Sequence, residues 1–197
     1  MGRVYGYVGD KWADYNERGE GRGAKRDTRV SFEGRHLYSY ATLVAAYHVN
    51  EKGQKYVLAT SRRYSRSTSS HVSACVRSCS VPVFYVPEVL APNRPDNGKH
   101  LWDMIEAHIL TAKRTWKNES YGVYYRELVV RWFNEFLKFC DITGFDRTLT
   151  NYRSIYIIHD EIIKHIQDKR AEFFSSKNIE KRERAAARRA AKKALQL

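Results

Sequence analysis

Apolar residues change their period along this chain. Between residues 30 and 60 they alternate with polar ones in short runs: Val30-Ser31-Phe32, then His36–Tyr40, then the apolar stretch Thr42–Tyr47 and the β-rich run Lys55–Thr60. A two-residue period puts successive side chains on opposite faces of a strand. Glu33-Gly34-Arg35 reads as a turn, and Asn50-Glu51-Lys52-Gly53 is a stronger one, so a hairpin is predicted with arms at 42–49 and 55–60. In 64–80 the period lengthens. His71, Val72, Cys75, Val76 and Cys79 fall at helical spacing behind Ser67, Thr68 and Ser69, whose hydroxyls suit a helix N-cap.

From His100 onward the period is helical throughout. Leu101, Ile105, Ile109, Ala112 and Trp116 form one stripe. Tyr124, Tyr125, Leu128, Val129, Trp132, Phe133, Phe136, Leu137 and Cys140 form a broader second one, and Ile155, Ile158, Ile162, Ile166 and Phe173 a third. Gly144 is a natural stop for the second helix, and Asp146, Thr148 or Thr150 a start for the third. Three amphipathic helices with short connections predict an antiparallel bundle.

The remaining segments read as punctuation. All four prolines (Pro82, Pro87, Pro92, Pro95) lie in 81–98, which predicts an extended connector. Gly19, Gly21 and Gly23 interleave with Arg18, Arg22, Lys25 and Arg26, which predicts a loop or arm. The expected fold class is α+β: a small N-terminal β-hairpin/helix module followed by a C-terminal antiparallel three-helix bundle with an extended basic C-terminal helix. The expected divisions are a flexible Gly/Arg-rich arm (1–29), the α+β module (30–80), the Pro-rich connector (81–99), the bundle (100–176) and a basic Ala-rich helical tail (177–197).

Charge sharpens this division. Residues 1–99 hold 16 Lys/Arg against 9 Asp/Glu, residues 100–176 hold 11 against 11, and residues 177–197 hold 8 against 2. The excess of +13 therefore sits on the front of the chain and on its tail. Clustered cations are what a polyanion-binding surface requires, because neutralising phosphates releases condensed counterions. In the front, Arg62, Arg63, Arg66 and Arg77 accompany Tyr64, Ser67 and Thr68 around the predicted helix start, where free N–H groups add to the attraction for phosphate. Tyr64 is a candidate for base stacking. In the tail, Lys181, Arg182, Arg184, Arg188, Arg189, Lys192 and Lys193 cover about half of a helical wheel, and alanines cover most of the rest. That alanine face lacks the large apolar anchors of a membrane-surface helix.

Other chemistries find weaker support. His71, Cys75 and Cys79 share a helical face, with Cys140, His159 and His165 as possible further ligands, but the spacing is not that of a zinc site, and buried free cysteines explain it better. His159-Asp160-Glu161 is the nearest approach to an acid/base set and reads more simply as the solvent face of a helix. No phosphate-binding, metalloprotease or nucleophile-elbow motif is present. Neither catalytic residues, metal nor cofactor are expected. Three cysteines, an odd count, fit a reducing cytoplasm rather than a disulfide framework. The first residues lack the apolar run of a secretory signal, and no apolar run approaches the ~20 residues of a membrane span.

Two segments carry a resemblance. Ser39–Tyr47 (SYATLVAAY), then a strand, then Tyr64–Val72 (YSRSTSSHV) resemble a small domain of uncharacterised tailed-bacteriophage proteins. That domain shows a Ser-Tyr-x-Thr strand start and a Tyr-Ser-x-Thr-Thr-Ser-x-His entry to a helix; here Ser67-Thr68 replaces the Thr-Thr pair. The resemblance spans under a quarter of the chain. It implies a phage origin and the cytoplasm of an infected bacterial cell, and it carries no chemistry with it. Two functions are thus expected as alternatives. One is a non-enzymatic protein that binds nucleic acid, RNA or DNA. The other is a host-takeover or anti-defence protein, anti-CRISPR-like, that binds an acidic host protein or a nucleoprotein complex.

Overall fold

The computed structural model describes residues 2–26 and 29–194; the side chains of residues 2–5, 119, 176–177 and 190–194 fall outside the described set. The chain runs α1 (Gly2–Ala13), a π-helical turn (Asp14–Arg18), β1 (Ala24–Arg26), β2 (Val30–Glu33), β3 (His36–Ser39), β4 (Thr42–Val49), β5 (Lys55–Thr60), α2 (Arg66–Val76) and β6 (Val83–Val86). It continues through α3 (Pro95–Arg114), α4 (Glu119–Thr143), a 3₁₀ turn (Arg147–Leu149), α5 (Ile155–Phe173) and α6 (Ser176–Ala194). Two compact units result: residues up to Asp103 with Asn134–Tyr152, and Met104–Phe133 with Arg153 onward.

The first unit is built on a six-stranded sheet in the order β1-β2-β3-β4-β5-β6. The first five strands form an antiparallel meander, and β6 joins β5 in parallel after a crossover through α2. Tyr47 and Val57, and Ala45 and Ala59, are paired on one face, where Val8 and Trp12 of α1 and Val72, Cys75 and Val76 of α2 complete a core. Ala46, Leu58 and Phe84 point the other way, and Phe139 of α4 meets Phe84 edge-on at 5.4 Å. Strands β4 and β5 are thus covered on both faces, which is why they read as near-continuous apolar runs. A register shift opposite Leu37/Tyr38 turns Val44 onto the α1/α2 side.

This architecture overturns the expectation of a small hairpin/helix module followed by a three-helix bundle. The sheet has six strands, and its unit takes in the first turns of α3 and the last turns of α4. Residues read as an arm form α1 and β1. Val8, Trp12 and Tyr15 supply α1 and its π turn with an apolar stripe, and Trp12 is fully buried. The glycines that argued for a loop have structural duties. A Cβ on Gly9 would stand 2.6 Å from Cys75 Cα, so its absence lets α1 approach α2; Gly19, at φ 72°, ends the π turn. The Pro-rich segment contains a strand for a similar reason. Pro82 lies just before β6, a one-sided edge, and gives only its carbonyl to Val57 N–H (2.9 Å).

The second unit is helical. Ile105 and Ile109 of α3, Val129 and Phe133 of α4, and Ile158 and Ile162 of α5 are all buried. A four-residue ion network ties α3 to the start of α5. Arg153 donates to Glu106 (2.7 Å) and to Glu161 (2.7 Å), and Lys113 reaches Glu161 (3.4 Å).

Phe136 is fully buried and meets Trp102 edge-on at 5.3 Å, whereas Trp132 is half-buried against His108. Phe136→Ala should cost about 3–5 kcal/mol in urea unfolding, and Trp132→Ala clearly less. Gly9→Ala should cost about 1–3 kcal/mol by forcing α1 away from Cys75. Wild-type stability in the Gly9 variant would show that the two helices separate freely.

Candidate nucleic-acid interface

The segments Ser39–Tyr47 and Tyr64–Val72 meet in space, through Ser39, Thr68 and His71. Ser65 is the N-cap of α2, and its hydroxyl accepts from Thr68 N–H at 3.2 Å. The hydroxyls continue inward as a chain: Ser67 pairs with Ser65 (2.7 Å), Ser65 with Thr68 (3.1 Å), Ser39 donates to Thr68 (3.4 Å), and Ser39 pairs with His71 Nδ1 (2.8 Å). Ser39, Thr68 and His71 are all buried, so these bonds satisfy groups that water does not reach. They bolt the end of β3 to the first turns of α2.

The bolt shapes the backbone beside it. Tyr40 follows Ser39 with φ 55°, the only described residue other than glycine at positive φ. Its N–H donates to the Arg29 carbonyl (2.7 Å), and its ring lies 5.6 Å from the His71 ring while remaining half exposed. Left-handed backbone at a tyrosine is strained and persists only where surrounding contacts impose it. Tyr40 and Arg29 therefore join the front of α2, although neither stands out in sequence. The available signal was the motif itself, whose Ser-Tyr and Ser-to-His segments are the parts that touch.

Around this frame the arginines divide. Arg62 is matched by Glu88 in an ion pair, so at that residue an acid opposes the cluster. Glu88 is remote in sequence and is delivered by the chain after β6. Arg63 and Arg66 are exposed and, among the described residues, have no acidic partner. Arg77 stands at the C-terminal end of α2, where its Nε donates to the Ser73 carbonyl. Eleven residues of helix, about 16 Å, separate it from the front, so it belongs to a different surface. Thr68 is buried and acts as a positioning group, not a contact. Tyr64 and Ser67 are exposed at the front.

Helix α6 carries the second set. Arg182 is engaged: its guanidinium stacks on the Phe173 ring at 3.7 Å and donates to the Phe173 and Asn178 carbonyls. Arg184 pairs loosely with Glu180 at 3.7 Å. Lys181, Arg188 and Arg189 are exposed, and the side chains of Lys192 and Lys193 lie outside the described residues. Acids early (Glu180, Glu183) and cations late complement the helix dipole, which favours helix in a segment with little to bury.

The other candidates resolve differently. Burial pushes the Cys75 thiol up to about 12 and the Cys79 and Cys140 thiols up to about 11, so all three stay protonated near neutrality. Among the described residues no three His, Cys, Asp or Glu side chains are grouped to hold a metal ion. Glu161 is spoken for by Arg153 and Lys113. Among the same residues no helix is long and apolar enough to cross a membrane. No protein-family model, curated protein or solved structure matches the chain; the site's own chemistry carries the reading.

Burial first, and the charge of Arg29 second, hold His71 below its ordinary value of 6.5. The unfolded chain therefore takes up this proton before the folded one, and stability falls as pH drops below about 6.5. The loss in unfolding free energy between pH 7.5 and about 5.5 should be smaller in His71→Gln than in wild type. Other histidines contribute equally to both proteins, so an identical loss would remove His71 as the titrating group.

Proposed function

We propose that this protein binds nucleic acid without catalysis of its own, through the front of α2 and through the cationic face of α6. We assign that role to the cytoplasm of an infected bacterium on the resemblance of Ser39–Tyr47 and Tyr64–Val72 to a bacteriophage domain. The observation that carries the reading is the electrostatic arrangement at α2. Arg63 and Arg66 flank the N-terminus of a helix with no acid in its first turn. That end already carries positive dipole charge, so cations there are destabilising by about 0.3–1 kcal/mol each. A bound anion reverses the sign, because it meets free N–H groups, serine hydroxyls and guanidinium groups together.

The surrounding chemistry fits a nucleotide chain better than a lone anion. Tyr40 and Tyr64 expose aromatic surface beside these donors, and aromatic rings serve as stacking platforms for bases. The hydroxyl chain beneath holds the turn and the helix start in place before any ligand arrives, which lowers the ordering cost of association. Helix α6 adds sequence-independent charge. Cations spread along a helix track a phosphate backbone without reading bases, and their contribution is lost as salt rises.

Binding of a labelled mixed-sequence oligonucleotide, measured against salt, tests this function. Arg63→Ala with Arg66→Ala should weaken affinity about tenfold or more, with folding unchanged. Removing residues 184–197, beyond the Arg182 contacts, takes away five cations and should flatten the plot of log K against log salt by up to about 4–5. Absence of binding by the wild-type protein at about 50 mM salt excludes the function.

A further inference from the structure

Within the helical unit, the turn between α3 and α4 and the junction between α5 and α6 line a cleft of about 420 Å³. That volume lies in the range of small-molecule sites. Its floor is aromatic: Trp116 and Phe173 meet edge to face, centroids 5.4 Å apart. Both rings are half-buried; Phe173 ends α5 and Trp116 lies in the turn two residues past α3, and each continues an apolar stripe, so periodicity alone assigns them to a core.

The rim is cationic in an unusual way. The Lys117 ammonium lies 5.3 Å from the Trp116 centroid and 5.2 Å from that of Phe173, and the Arg182 guanidinium covers Phe173. Lys181 lines the same cleft. Among the described residues none of these three cations has a carboxylate partner. Glu172, the acid among the described residues that line the cleft, is taken by Lys169 at 2.8 Å. A cation held by a ring face keeps its whole charge for an incoming anion, whereas one held by a carboxylate does not.

We propose that this cleft is a second nucleic-acid site, specific for single strands, which takes a base against the Trp116 ring, beside the Arg182-covered Phe173, and its flanking phosphates on Lys117, Lys181 and Arg182. It rests on the nucleic-acid reading above and adds the strand form recognised. Charge complementarity selects a polyanion. The aromatic floor selects a polyanion whose bases are free to leave their stack, and a duplex offers its phosphates only. Asn178, whose amide already donates to the Glu172 carbonyl at 2.6 Å, holds the start of α6 against the end of α5 and keeps the cleft formed.

The test uses the full chain with three labelled or competing probes: a single strand of about 12 nucleotides, a duplex of the same length, and inorganic polyphosphate. Trp116→Leu keeps apolar bulk and removes the indole. It should weaken single-strand binding about fivefold or more and leave duplex and polyphosphate binding within about twofold. Lys117→Gln is an exposed change that spares the fold, and it should weaken single-strand binding several-fold, which decides the matter if the tryptophan variant does not fold. Wild-type affinity for single strands in folded variants overturns the cleft while leaving the α2 and α6 surfaces standing. Equal losses on all three probes overturn base recognition there. A wild-type protein that binds none of the probes overturns the nucleic-acid reading itself.

Discussion

The Ser39 hydroxyl, held between Thr68 and His71, is the contact on which the first unit turns. It joins the end of β3 to the first turns of α2, two segments about thirty residues apart in sequence. All three side chains are buried, and a buried polar group that loses its partners costs about 1–3 kcal/mol. Linked hydrogen bonds of this kind polarise and strengthen one another. Once made, the network imposes the left-handed Tyr40, sets where α2 begins, and brings the far end of that helix under Gly9 of α1. The outer hydroxyls of the same chain, Ser65 and Ser67, face the solvent at the helix start. One set of bonds thus runs from the interior to the proposed contact surface.

In both units some cations are paired with acids and others, among the described residues, are not. At the front of α2 only Arg62 is neutralised, and it is neutralised by a residue remote in sequence. In the helical unit the α3–α5 network absorbs Glu106 and Glu161, and Lys169 absorbs Glu172. Lys117 and Arg182 rest on rings instead. Surface ion pairs contribute little to stability, so leaving these cations unpaired costs the fold little and leaves them available to a polyanion.

Local order was legible where it rests on neighbours in sequence. The stretches 42–49 and 55–60 are strands because the Asn50–Gly53 turn closes on itself: Asn50 Oδ1 accepts from Lys52 and Gln54 N–H, and Gly53 N–H donates to the Asn50 carbonyl. The stripes after His100 are helices for the same local reason, each burying one face. The six-stranded sheet was not legible. Strand β1 has three residues and little apolar content, β6 sits among prolines, and α1 is diluted by glycine. Strand β1 is completed by the neighbouring β2, whereas β6 and α1 depend on β5 and α2, partners far along the chain.

The candidate sites divide along the same line. The sequence by itself determined the uneven charge, the hydroxyl cluster that caps α2, and a motif in two separated pieces. Only the tertiary structure decided that these pieces touch, that Arg62 is neutralised while Arg63 and Arg66 are not, that Arg77 lies at the other end of its helix, and that Trp116 and Phe173 form the floor of a cleft. The reason is the range of the interactions involved. Caps, turns and helical stripes are set within a few residues, where backbone geometry fixes who meets whom. Ion pairing, ring contacts and buried polar networks act through space between segments that only a completed fold brings together.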